Sequence, residues 1–143
     1  MRAFLIATML MFSLNAHAAD RYDGIPDKFL ATYQAGKPVE AVEYLIKTSP
    51  YAKELGEQTR NLREVVKTYQ STMGKYNGAE QVSERAVGTH YVNLMYLLSY
   101  ERQPVLLELS LYRYKDKWVL QNVYFNATFA DDISREAKAA LGK

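Results

Sequence analysis

Residues 91–129 read YVNLMYLLSYERQPVLLELSLYRYKDKWVLQNVYFNATF, three apolar runs separated by two short polar turns. The runs Tyr91 to Tyr100, Val105 to Tyr114 and Trp118 to Phe129 are rich in Leu, Val and Tyr, residues that fit a pleated, half-buried surface. With Glu101-Arg102-Gln103-Pro104 and Lys115-Asp116-Lys117 as the connections, the stretch reads as an antiparallel meander. Leu107, Leu109 and Leu111 share one face, against Leu106, Glu108, Ser110 and Tyr112 on the other. One side is therefore core and the other half apolar. In the last run Trp118 and Leu120 have one parity, and Val123 and Phe125 the opposite one. A β-bulge near Gln121-Asn122 restores both pairs to one face and bends the sheet there.

Upstream of the meander, Glu80 to Gly88 alternates only weakly and is assigned to an edge strand, where polar and charged side chains oppose pairing with another chain. Everything before it has helical spacing. An extended lead from Asp20 to Pro26 gives way to a helix with Phe29, Leu30 and Tyr33 on its apolar stripe and Gly36 as its left-handed cap. Pro38 opens a second helix, carrying Val39, Val42, Leu45 and Ile46. The third and longest runs from about Pro50 to Met73. Tyr51, Leu55, Leu62, Val65, Val66, Tyr69 and Met73 lie on one side, and Glu57, Arg60, Arg63, Glu64 and Lys67 on the solvated other. Gly74 ends it, and Tyr76-Asn77-Gly78 reads as a turn. Residues 131–143 read as a short terminal helix or tail with Ile133, Ala137 and Leu141 on one side. The fold class expected is α+β, with three N-terminal helices packed on a strongly curved antiparallel sheet of about four strands.

Arg2 is followed by the uncharged stretch Ala3 to Leu14 and then by Asn15-Ala16-His17-Ala18. This is the pattern of a cleavable signal peptide over residues 1–18, shorter than the roughly 20 apolar residues of a membrane span. The expectation is export to the periplasm of a Gram-negative bacterium, a domain over 19–130, and no membrane span after cleavage. Cysteine is absent, which excludes disulfides, thiolate metal sites and a lipid-anchored cysteine. Of 18 basic residues only Arg2 lies in the signal, leaving 17 against 16 acidic. That near-neutral, interspersed charge argues against nucleic acid as a partner.

The long helix ending at Met73-Gly74, the link Lys75-Tyr76-Asn77-Gly78, the hairpin end Tyr100-Glu101-Arg102, Tyr112 to Tyr114, and Lys117-Trp118-Val119-Leu120 together resemble the NTF2-like (cystatin-like, cone-shaped α+β) superfamily. The resemblance covers most of Asp23 to Phe129 and is closest to small exported bacterial proteins. It implies a cone of helices and curved sheet. Enzymes of that superfamily place carboxylates, His or Tyr inside the cone, but one fold hosts many functions.

The chain offers few such groups. His90 is the only histidine outside the signal and sits at a turn or strand start, where a surface role is the plainer reading. A single His without Cys gives no metal site, and no cofactor is expected. Glu108, mid-strand, would serve as an acid or base if buried beside Tyr96, Tyr112 or Ser110. On a sheet with one wet face it more simply meets solvent, Arg113 or a Lys. All twelve tyrosines lie outside the signal, six of them in the proposed sheet. Strand propensity explains most of them. A sharper reading puts Tyr96, Tyr112 and Tyr124 around Leu106 and Leu98 on a face that pairs with a second copy. A competing one is a ligand pocket lined by Tyr33, Tyr69 and Trp118. The function expected is non-enzymatic binding, through self-association, an envelope protein or a small apolar ligand. The alternative is a small hydrolase, isomerase or dehydratase using Glu108 or His90 with a Tyr hydroxyl.

Overall fold

The computed structural model describes residues 21–142; the segment read as a signal peptide and the start of the expected extended lead lie outside them. The meander is a four-stranded antiparallel sheet in sequence order, β1 (Tyr76–Val87), β2 (Tyr91–Tyr100), β3 (Pro104–Tyr114) and β4 (Lys117–Asn126). The short hairpin after Tyr100 sets a register in which Leu94 faces Leu109, Tyr96 faces Leu107 and Leu98 faces Val105. Their common face is the core: Val92, Leu94, Leu98, Val105, Leu107, Leu109 and Leu111 are each at most 1% exposed.

Three helices cover that face, α1 (Ile25–Gln34), α2 (Pro38–Thr48) and α3 (Gly56–Thr72). Their buried stripes are Phe29 and Tyr33, then Ala41, Val42, Leu45 and Ile46, then Val66 and Tyr69 with Met73 just beyond. The chain is α+β, as the periodicity predicts. The phase slip in β4 is a bulge. Ser110 faces Asn122 and Leu111 faces Leu120, so Gln121 is the extra residue. Leu120 and Phe125 are both buried, and Trp118 and Val123 pack against the same core.

Four local expectations are corrected. β1 lies at the edge as expected but begins at Tyr76, because Tyr76-Asn77-Gly78 is drawn into the ladder by a register shift opposite Tyr100 and Ser99. Gly78 supplies the positive φ of 143° there. The lead is a tight left-handed turn over Arg21–Gly24, not an extended segment, with Tyr22 and Asp23 at φ 57° and 55°. Such backbone is strained for L-residues. It is held because Asp23 Oδ2 accepts the Trp118 N–H at 2.8 Å and the Tyr22 ring meets Trp118 edge-on at 5.0 Å.

α3 starts at Gly56 rather than Pro50, since residues 49–55 close i→i+3 bonds, Ala52 to Ser49, Glu54 to Tyr51 and Leu55 to Ala52. Tyr51 is accordingly 58% exposed and off the stripe. Arg63, expected on the solvated side, bridges to Glu43 of α2 at 2.8 Å. The tail is a full helix, α4 (Phe129–Leu141), with no buried residue. Among the described residues no helix is long and apolar enough to cross a membrane.

The two faces of β3 predict unequal sensitivity. Leu109→Ala, in the closed core, should cost about 2–5 kcal/mol of unfolding free energy, whereas Leu106→Ala on the uncovered face should cost about 1 kcal/mol or less. Urea denaturation of both variants measures the difference.

Candidate functional site

The last turns of α1 and α3, the start of β1 and the end of β2 converge at one end of the sheet. They border a half-open cavity of about 460 Å³ lined by Tyr33, Gln34, Pro38, Gln70, Gly74, Lys75, Tyr76 and Tyr100 among others. Tyr33 is 2% exposed, and its hydroxyl lies 2.5 Å from that of Tyr100. The Tyr76 ring stands edge-on to both, 5.0 Å from Tyr33 and 5.4 Å from Tyr100. Aromatic pairs in this geometry are each worth about 0.5–1.5 kcal/mol beyond the area they bury.

Gly74 sets the approach of the two walls. Its φ is +79°, and a Cβ there would lie 2.6 Å from Glu101 Oε2, the carboxylate that accepts the Lys75 N–H at 3.0 Å. That contact ties the β1 start to the hairpin after Tyr100, which places Tyr76 beside Tyr100.

Burial, reinforced by the neighbouring Tyr100, pushes the Tyr33 phenol far above its ordinary range. Burial and then Tyr100 push Tyr76 up to about 12. Burial likewise raises Tyr69 and Tyr100. The hydroxyls therefore stay protonated near neutral pH and act as hydrogen-bonding groups, not as bases.

Of the three pocket residues expected from sequence, Tyr33 lines this cavity. Tyr69 stands behind it, with ring contacts to Tyr100 at 6.3 Å and Phe125 at 6.1 Å. Trp118 belongs to the opposite end of the sheet, in a separate depression with Asp23, Tyr44 and Thr48. Sequence reasoning missed Tyr76 and Tyr100. The parity of Tyr100 with Leu94 and Leu98 is the signal that could have found it.

The acid/base candidates are elsewhere. Glu108 is half-buried on the uncovered face, where Oε1 accepts from Asn93 Nδ2 at 2.7 Å; the same Asn93 nitrogen reaches Ser110 Oγ at 3.0 Å. Its cross-strand neighbours are Met95 and Tyr124, not Arg113 or a Lys. His90 is exposed in the β1–β2 turn, with Nδ1 3.0 Å from Thr89 Oγ1. Neither lines the tyrosine cavity.

Leu106, Tyr112 and Tyr124 do share the uncovered face, and Tyr112 and Tyr124 are 41% and 55% exposed. Tyr96 and Leu98 do not: pairing with Leu107 and Val105 puts them on the core side, 6% and 0% exposed. One residue of register decides this, because side chains alternate with period two. A further groove of about 280 Å³ runs between α3 and the β4 bulge, with Ile46, Leu55, Leu62, Val65, Leu120 and Val123 in its walls. Compared with known proteins, the chain matches no family model, no curated protein and no solved structure.

Alkaline pH should expose the tyrosine cluster. Unfolded tyrosines ionise near pH 10, while burial raises the folded-state values. This contribution to stability is therefore whole below about pH 10 and is lost as pH rises through the folded value of about 12 at Tyr76. Tyrosinate absorbance and far-UV circular dichroism, followed together from pH 9 to 13, should show ionisation of the cluster coincident with unfolding. Tyr33→Phe should lower the unfolding free energy at pH 7 by about 1–2 kcal/mol, since it leaves the Tyr100 hydroxyl without its buried partner.

Proposed function

We propose that this chain is an exported, periplasmic, NTF2-like interaction domain that acts without catalysis by pairing with a second copy through the open face of its sheet. The observation that carries the reading is that face itself. No described element packs on it. Yet it presents Tyr91, Met95, Leu97, Leu106, Val119 and Tyr124 around the Asn93–Glu108–Ser110 hydrogen bonds. A satisfied polar centre ringed by aromatic and aliphatic side chains is the composition of a protein–protein interface.

A second copy fits better than an unlike partner for two reasons. The charges on the face, Glu80, Arg85, Glu108 and Lys117, are two of each sign, and the whole domain is close to neutral, so two copies do not repel. Four strands about 4.8 Å apart and ten residues long give a patch of about 600 Å² in projection. With side-chain relief this approaches the about 800 Å² per partner of a standard interface. The NTF2-like part of the reading rests on the sequence resemblance alone; the structure bears on it only as far as the α+β class. Glu108 and His90 stand outside the tyrosine cavity, which leaves the enzymatic alternative without its acid/base pair there.

Light scattering on residues 19–143 should give twice the chain mass, and Leu106→Arg with Tyr124→Arg should give a folded monomer. A wild-type monomer at the highest attainable concentration rejects the reading. The apolar groove between α3 and β4 favours a second reading, a small apolar ligand held against Val65 and Leu120. In that case a naphthalene sulfonate dye should bind with enhanced fluorescence and lose affinity about tenfold in Val65→Asp, about 1.4 kcal/mol.

A further inference from the structure

Pairing through the sheet face leaves the polar groups of the tyrosine cavity unused. The floor of that cavity is Tyr33, Tyr100 and Pro38, all buried, with half-buried Tyr76 beside them. Its mouth carries the exposed side chains of Gln34 on α1, Gln70 on α3 and Lys75. Burial keeps the Tyr33 and Tyr100 phenols protonated near neutral pH, so the pair holds two protons. The hydrogen bond between them uses one, and neither hydroxyl makes another hydrogen bond among the described residues. Because both residues line the cavity, the acceptor for the second proton is whatever stands there.

The mouth adds groups that both give and take hydrogen bonds. Gln70 Nε2 reaches the Gly36 carbonyl, in the loop after α1, at 3.5 Å, and the Gln34 amide makes no hydrogen bond among the described residues. Each amide offers two donor N–H groups and an acceptor oxygen. No carboxylate lines the cavity, and Lys75 is its one charged side chain among the described residues. The fixed partial charges oppose one another. The C-terminal ends of α1 and α3 bring negative potential, while the N-terminal end of α2 at Pro38 and the Lys75 ammonium bring positive. A volume of about 460 Å³ is that of a small-molecule site.

We propose that this cavity binds one neutral sugar ring, either a free monosaccharide or the terminal ring of a glycan. The apolar C–H surface of the sugar lies against the tyrosine rings and Pro38. One sugar oxygen accepts the second proton of the Tyr33–Tyr100 pair, and the other hydroxyls exchange hydrogen bonds with Gln34 and Gln70. An anion would find only the exposed, solvent-screened Lys75 to meet its charge, with two helix C-termini opposing it. A cation would meet Lys75 as a like charge. An apolar molecule would displace water from the tyrosine proton and return no acceptor. Binding here needs no second copy, since all these walls belong to one chain.

The test is an NMR titration of the chain from Ala19 to Lys143 with the methyl pyranosides of glucose, galactose, mannose and N-acetylglucosamine. Sodium benzoate and cyclohexanol are the charged and the apolar controls. At least one glycoside should give saturable shifts confined to the residues of the cavity, and neither control should. The matching disaccharide separates the two sources: tighter binding marks the end of a glycan, equal or weaker binding a free sugar. Tyr100→Phe and Gln70→Ala should each weaken binding about fivefold, the loss of one hydrogen bond, with the circular dichroism spectrum unchanged. Gln70 is exposed on α3, so its variant remains informative if Tyr100→Phe does not fold. Absence of saturable shifts with every glycoside up to its solubility limit overturns the proposal, as does unchanged affinity in either folded variant or an equal response to benzoate or cyclohexanol.

Discussion

The structure depends on one layer of contact, the side chains of Val92, Leu94, Leu98, Val105, Leu107, Leu109 and Leu111 pressed against Phe29, Val42, Leu45 and Val66 of the covering helices. Without cysteine the described fold has no covalent cross-link. Removal of this apolar surface from water, at roughly 25 cal/mol per Å², is the main force holding helices to sheet. Because burial is on one side only, every strand must keep its parity. The bulge at Gln121 is where β4 recovers it after slipping.

One-sided burial also explains where polar chemistry collects. At the end of the sheet where α1 and α3 stop, aliphatic packing gives way to Tyr33, Tyr69, Tyr76 and Tyr100. These side chains bury rings and still present hydroxyls that must find partners or open space. At the flank, where α1 begins, the strained turn at Tyr22 and Asp23 is compensated by bonds to Glu84 and Trp118. Strain of this kind persists only where the surroundings over-determine it. Here it builds one wall of a cleft that β1 and β2 alone would not have.

The uncovered face and α4 pose the same question of what completes them. A 13-residue helix with Ile133 59% exposed and Leu141 88% exposed gains little from packing within its own chain, and isolated helices of that length are marginal in water. α4 leaves β4 only two residues beyond Asn126. Both the face and the helix are therefore apolar surface that the described chain itself leaves uncovered.

The sequence by itself determined the class and most of the elements. Alternation in Leu107, Leu109 and Leu111 marked the buried face, the slip between Leu120 and Val123 marked the bulge, and Pro26, Gly36 and Pro38 bounded α1 and opened α2. These features are written in local period and turn chemistry, which neighbours in the chain can fix alone. The grouping of side chains into sites was decided only by tertiary structure. Tyr96 fell to the core because the hairpin register pairs it with Leu107. Trp118 and Tyr33 went to opposite ends of one sheet. Glu84 acquired Tyr22 and Arg21, more than 60 residues away in sequence, through a turn that reads as extended. Register and long-range approach depend on which faces pack together, and no local pattern carries that information.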